Sequence, residues 1–226
     1  ISPAGNMAKF QKKYPYRFIN IGVSEQTMIG MCAGLSMEGM RPFAYTISTF
    51  TLYRPFEMVR DDICYQNLPV TLVGMGAGTI YSTLGGTHLT QEDISIARSI
   101  PNMNIIAPCD PNELKEAINY CCTKSNSPIY LRIGKTGEKN FTINSPDKWR
   151  FGKIRKIFSG NDICFLTFGP IVRKAFEVKD NLRAKNISAE IYSCHTLKPF
   201  DHDGLKKIFK KFKKIIIIED HSKIGG

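Results

Sequence analysis

Four kinds of group in this chain have the type and spacing to do chemistry. Glu25 follows Ser24 one residue inside an apolar helical run, directly beyond a predicted strand end, where α/β proteins gather ligands. Phe50, Tyr53 and Phe56 recur every third residue after a second predicted strand, and rings so spaced could stack on a flat heteroaromatic ligand. His88 lies in the loop Gly85-Gly86-Thr87-His88, where a neutral imidazole would shuttle protons and an imidazolium would stabilise developing negative charge. Arg132 ends the run Ile129-Tyr130-Leu131-Arg132, and a guanidinium is a planar fork suited to phosphate, with Lys135 near by in sequence. Each has a blander reading. A first-turn glutamate also answers the helix dipole, aromatics at helical spacing are more often core, and loop histidines and strand-end arginines are usually solvated.

The elements that must position these groups are legible as alternating strands and helices. Arg17–Ile21 reads as a short strand, and Ser24 as the cap of a helix from Glu25 to about Met37, stopped by Gly39. Strands follow at 42–48, 69–74, 104–107 and 128–133, with helices at 55–67, 91–100 and 111–122. Asp110 before Pro111 is an N-cap with proline in the first helical position. A polar lapse at 134–152 marks a boundary, after which strands at 162–168, 188–193 and 214–219 alternate with helices. The apolar runs are nearly continuous, as in parallel strands covered on both faces. The expected fold class is therefore α/β: two αβα units with mostly parallel sheets, a first unit at 1–137, a linker at 138–155 and a second unit at 156–226.

Composition narrows the field. At 226 residues with 42% hydrophobic and 23% charged side chains, the chain can bury sizeable cores. The longest apolar run is the strand-sized Ile215–Ile218, and no signal-peptide pattern opens the sequence, so no membrane association is expected. Seven cysteines match no zinc or disulfide framework, which points to reduced thiols and a cytoplasmic setting. The net charge of +11 owes much to Lys206, Lys207, Lys210, Lys211, Lys213 and Lys214, interleaved with Leu205, Ile208, Phe209 and Phe212 at helical spacing. That is an amphipathic helix with a solvated basic face, and no nucleic-acid partner is expected. His195, His202 and His221 read as structural.

In chain order, the segments Arg17-Phe-Ile-Asn-Ile-Gly-Val-Ser-Glu25-Gln, Ser48-Thr-Phe50-Thr-Leu-Tyr53-Arg-Pro-Phe56-Glu, Gly85-Gly-Thr-His88 and Arg98-Ser-Ile-Pro-Asn-Met resemble transketolases and 1-deoxy-D-xylulose-5-phosphate synthases. Thr196-Leu-Lys-Pro-Phe-Asp201 and Ile218-Glu-Asp-His-Ser-Lys-Ile-Gly-Gly226 look like landmarks of the same family's C-terminal domain. The resemblance implies a thiamine-diphosphate-dependent transferase that moves a two-carbon ketol unit. That cofactor reacts at C2 of its thiazolium ring, using its own 4'-amino group as base. A carboxylic acid on pyrimidine N1' drives the tautomer that makes this possible, and a partly desolvated site favours the acid form. By position in the motif Glu25 is that acid, Phe50, Tyr53 and Phe56 wall the aminopyrimidine, His88 lines the reaction centre, and Arg132 contacts a substrate phosphate.

The resemblance also marks departures. The family's further histidine at the start of the glycine-rich loop and an aspartate before the histidine motif are here Gly76 and Leu84, so a different or smaller substrate is expected. The Gly-Asp-Gly segment that holds diphosphate and Mg²⁺ has no counterpart, and no metal ligand is assigned to this chain. The first unit is expected to lack its first strand, and the second to be truncated. A diphosphate-binding domain or subunit is therefore the expected partner, in a homodimer or an α2β2-type assembly, with this chain inert alone. The alternatives are a decarboxylating synthase of the deoxyxylulose-phosphate type, the beta-type subunit of a 2-oxoacid dehydrogenase, or, from another class, a non-catalytic binding module.

Overall fold

The computed structural model describes residues 5–226. A first helix, α1 (Asn6–Lys13), and a single tight turn at Pro15–Arg17 precede the α/β elements. The expected strand over Arg17–Ile21 is absent: its backbone pairs with no strand among the described residues, and Ile19 is exposed. Helix α2 (Glu25–Met37) has its predicted bounds, and Gly39 follows at φ 83°, a left-handed conformation that glycine adopts without strain. The Ser24 hydroxyl does not cap it and instead meets Thr27 Oγ1 at 3.2 Å.

The first sheet contains β1 (Phe43–Ile47), β2 (Thr71–Met75), β3 (Asn104–Ile106) and β4 (Ile129–Ile133), in the order β1-β2-β4-β3 and all parallel. Its connecting helices are α3 (Ser48–Leu52), α4 (Phe56–Met58, widening into a π-helical segment at Val59–Tyr65), α5 (Asp93–Ser99) and α6 (Pro111–Thr123). The central strands β2 and β4 are buried almost throughout, which accounts for their unbroken apolar sequences. Asp110 caps α6 as its sequence requires, accepting from Glu113 N at 2.8 Å.

The second sheet contains β5 (Arg155–Phe158), β6 (Ile163–Thr167), β7 (Ala189–Ser193) and β9 (Ile215–Ile218), in the order β5-β7-β6-β9, with β5 antiparallel. Helices α7 (Val172–Arg183) and α8 (His202–Lys211) connect its strands. Helix α8 buries Ile208 and turns its lysines outward, but Phe209, expected on the apolar stripe, is 58% exposed. Strand β9 leaves Ile216 and Ile217 exposed at the sheet's edge. All seven cysteines are unpaired, and only Cys122 is exposed.

The units are fused more closely than a linker implies. Strand β8 (Thr196–Lys198), following β7, crosses to the first sheet and pairs antiparallel with β3. One hydrophobic cluster joins Ile94 and Ala107 of the first unit to Leu166, Phe168, Ile208 and Phe212 of the second. Residues 138–155 pack rather than dangle. Phe151 stacks on Tyr120 with centroids 4.3 Å apart, Trp149 stacks on His195 at 4.9 Å, and Arg155 reaches the buried Glu113 at 3.3 Å. Glu113 also accepts from Cys109 N and from Ser193 Oγ, tying α6 to β7, while burial pushes its carboxyl above the usual carboxylate range.

The most buried of these ties is ionic. Arg132, at 1% side-chain exposure, donates from Nε to Asp93 Oδ2 and from Nη1 to Asp220 Oδ1, each at 2.9 Å. Tyr130 also donates to Asp93 Oδ2 at 2.8 Å. Burial opposes the Arg132 charge, but Asp93 and then Asp220 overcome it and hold the guanidinium firmly ionised. A Cβ on Gly78, at φ 71°, would collide with the Asp220 carboxylate, so the glycine-rich loop can pass here only with glycine.

Two outcomes follow from this packing. Arg132→Met strands the buried Asp93 and the half-buried Asp220 and is expected to cost about 3–5 kcal/mol in urea unfolding; Arg132→Lys will not restore it, since a point charge cannot fork between two acids. A loss below about 1 kcal/mol would refute the tie. His195 is buried against Trp149 with its pKa lowered from 6.5 to about 3, by burial and then by the Arg155 charge. Between those values the unfolded chain binds a proton that the folded chain refuses, so this contribution is intact above pH 6.5 and is lost as pH falls toward 3. The unfolding free energy of His195→Gln should therefore depend less steeply on pH across that window; slopes equal to wild type would contradict the assignment.

Candidate active site

The residues singled out by type and spacing converge around the start of α2 and the segment after β1. The turn after Val23 sends Glu25 into the protein as the first residue of α2, where it is 7% exposed. Its Oε2 accepts from Arg54 Nη1 at 2.7 Å. Arg54 follows α3, and its guanidinium carbon lies 4.2 Å from the centroid of the Phe50 ring. The edge of His88 meets Phe50 at a centroid distance of 5.3 Å and Tyr81 at 6.4 Å, while its Nδ1 lies 2.9 Å from Thr87 Oγ1. Acid, cation, aromatic face and imidazole thus form one contiguous row.

An open cleft of about 540 Å³ lies along this row, lined by Thr49, Phe50, Tyr53 and Arg54 on one side and by Gly86, Thr87, Leu89, Gln91 and Glu92 on the other. The Thr51 hydroxyl anchors the aromatic segment, being 3.0 Å from Val73 O and 3.1 Å from Ile47 O. Tyr53 crosses the cleft floor: its hydroxyl donates to Glu92 Oε2 at 3.1 Å and accepts from Glu92 N at 3.2 Å. Burial, then the charge of Asp93, raises the Tyr53 phenol above its ordinary pKa, so it stays protonated.

Of the predicted residues, the structure gathers Glu25, Phe50, Tyr53 and His88, with Glu25 reaching the cleft through Arg54. Phe56 is farther along, at 36% exposure, and does not line the cleft. Arg132 stands apart from this row: its Nε meets Asp93 and its two outer nitrogens meet Asp220. Its strand-end position is legible in the sequence; the two acids that claim it come from segments 39 residues before and 88 residues after it. Sequence reasoning passes over Arg54 and Glu92. Arg54 stands inside the aromatic motif, and the sole signal is a cation set among three rings. No group of three or more His, Cys, Asp or Glu suited to a metal ion occurs among the described residues.

Comparison with known proteins assigns this arrangement to a lineage. The family model for the transketolase pyrimidine binding domain matches residues 4–137, and that for the transketolase C-terminal domain matches 152–226. An apulose-4-phosphate transketolase subunit of Phocaeicola vulgatus is 30% identical over 220 residues, covering 97% of this chain and 70% of that protein. A putative transketolase C-terminal section from Methanocaldococcus jannaschii is 36% identical over 227 residues, covering 100% of this chain and 71% of the relative. The 1-deoxy-D-xylulose-5-phosphate synthase of Clostridium acetobutylicum is 36% identical over 221 residues, but these make up 35% of that enzyme. A solved structure described as a split gene transketolase, inactive beta4 tetramer, superposes with a TM-score of 0.86 at 32% identity, over 96% of this chain and 69% of its own. With the glutamate, the ring segment and the histidine loop gathered on such a fold, the chain belongs to the transketolase family.

Proposed function

We propose that this chain supplies the aminopyrimidine-binding side of a thiamine-diphosphate-dependent ketol transferase, with Glu25 as the acid that activates the cofactor. One observation carries the reading: a carboxylate buried at the first turn of α2 is joined, through Arg54, to a cleft walled by the Phe50 ring. Those residues fit an aminopyrimidine. The aromatic face offers stacking area, and the carboxyl offers an acid to a ring nitrogen. When bound, thiamine diphosphate supplies a nucleophilic carbon able to carry a two-carbon ketol unit. Phe50 and Tyr53 orient the ring, Phe56 adds apolar cover farther out, and Glu25 donates the hydrogen bond at N1'. His88, fixed edge-on to Phe50 and Tyr81, carries protons to and from the oxygen atoms of the substrate.

The diphosphate and its Mg²⁺ belong, in this reading, to a second domain or subunit, and the chain is active only beside it. Relatives named as a transketolase subunit and as a C-terminal section support that division of labour. We take residues 1–137 as the pyrimidine-binding unit, 138–155 as the connection and 156–226 as the C-terminal unit, in a cytoplasmic homodimer or α2β2-type assembly. No helix among the described residues is long and apolar enough to cross a membrane, and the unpaired thiols suit a reducing compartment. The C. acetobutylicum relative supports a second reading, decarboxylative coupling by a synthase.

In the assembly with a diphosphate-binding subunit, Glu25→Gln is expected to slow C2 hydrogen–deuterium exchange of thiamine diphosphate by at least about 10²-fold, followed by NMR. Unimpaired exchange would rule the mechanism out. Carbon dioxide released from pyruvate would select the synthase; ketol transfer from a ketose phosphate without gas would select the transferase.

A further inference from the structure

The cleft already contains a group that satisfies both of its recognition elements. Arg54 pairs with Glu25 through a 2.7 Å hydrogen bond and lies 4.2 Å over Phe50, so one planar cation takes the carboxylate and the ring face together. An aminopyrimidine seated by Glu25 and Phe50 would need those same two contacts. Both cannot be held at once, because a ring face has room for one stacked plane at van der Waals distance. Resting on the reading above, we infer that Arg54 is a displaceable occupant of the aminopyrimidine site, a built-in competitor that shields Glu25 until the cofactor evicts it.

Burial and backbone suit that role. A carboxylate at 8% side-chain exposure is costly to leave unpaired, and Arg54 supplies the counter-charge from within the chain. The arginine is itself 39% exposed, so its guanidinium has solvent to move into without unpacking a core. It stands in the turn between α3 and α4, held by one long backbone bond, Arg54 N to Thr49 O at 3.4 Å. Arg132 is the contrast: a guanidinium at 1% side-chain exposure held between two acids, built to stay. Because the exposed cation is screened by salt while stacking is not, the competition should weaken as ionic strength rises. Observed affinity is the intrinsic affinity reduced by the fraction of chains whose site is open.

The test uses this chain and 4-amino-5-hydroxymethyl-2-methylpyrimidine, the ring half of the cofactor, with dissociation constants from NMR titration. Arg54→Met keeps the stem but removes the fork and charge, and is expected to bind the pyrimidine about tenfold tighter than wild type. Added salt should tighten binding to wild type and leave the variant unchanged. Equal or weaker binding by a variant with an intact circular dichroism spectrum would overturn the inference and leave the functional reading standing. Binding by neither chain would overturn both. Should Arg54→Met fail to fold, Arg54→Lys serves in its place: it keeps the charge but cannot lie flat on Phe50, so binding about two- to threefold tighter supports the inference and binding equal to wild type refutes it.

Discussion

The architecture turns on a charge that cannot be left alone. Arg132 rises from β4 in the first unit into the buried interior, and its guanidinium is tolerable there because Asp93 and Asp220 meet it from α5 and from just past the end of β9. Asp220 gains as much as it gives. Burial pushes its carboxyl up, and the Arg132 charge pulls it back down without fully cancelling the shift. Three elements remote in sequence are thereby held in one register, and the glycine-rich loop is drawn past them at Gly78. The same loop continues to Thr87 and His88, so the ion pair at Gly78 anchors one end of the segment that carries the imidazole.

Two arginines in one protein thus illustrate opposite uses of the same fork. Depth decides between them. Where the cation is buried between two acids, separation would strand it with little solvent, and the pair is costly to open. Where the cation keeps contact with water, exchange for another ligand costs little, and the pair is a reversible feature of the cleft. The aromatic neighbour adds to this contrast, because a ring face can accept either a guanidinium or a heteroaromatic ring.

Much of this is written locally and can be read locally. The Asp110–Pro111 cap, the apolar runs of β2 and β4 and the bounds of α2 follow from short-range rules, and each stands in the structure where those rules put it. Glu25, Phe50, Tyr53 and His88 can be picked out as a group because their motifs come in order. What escapes is settled over distance. Arg132 looks free in sequence because Asp220 lies 88 residues away, and β8 is three residues long, too short to carry a period. The strand expected over Arg17–Ile21 fails for the converse reason: its side chains suit a sheet, but no strand among the described residues meets its backbone. Phe209 shows that helical spacing marks a face without guaranteeing that something covers it.

Strand β8 has a bearing on how the chain is made. Ile105 of β3 waits for Lys198, and Ile106 for Thr196, to finish an edge of the first sheet. On a ribosome, the first unit therefore emerges with an unsealed margin and stays so until most of the second has been synthesised. A nascent or prematurely released chain would present that margin, with its isoleucines, to any passing strand. The order of assembly is consequently not first unit then second, but a sheet begun early and closed late.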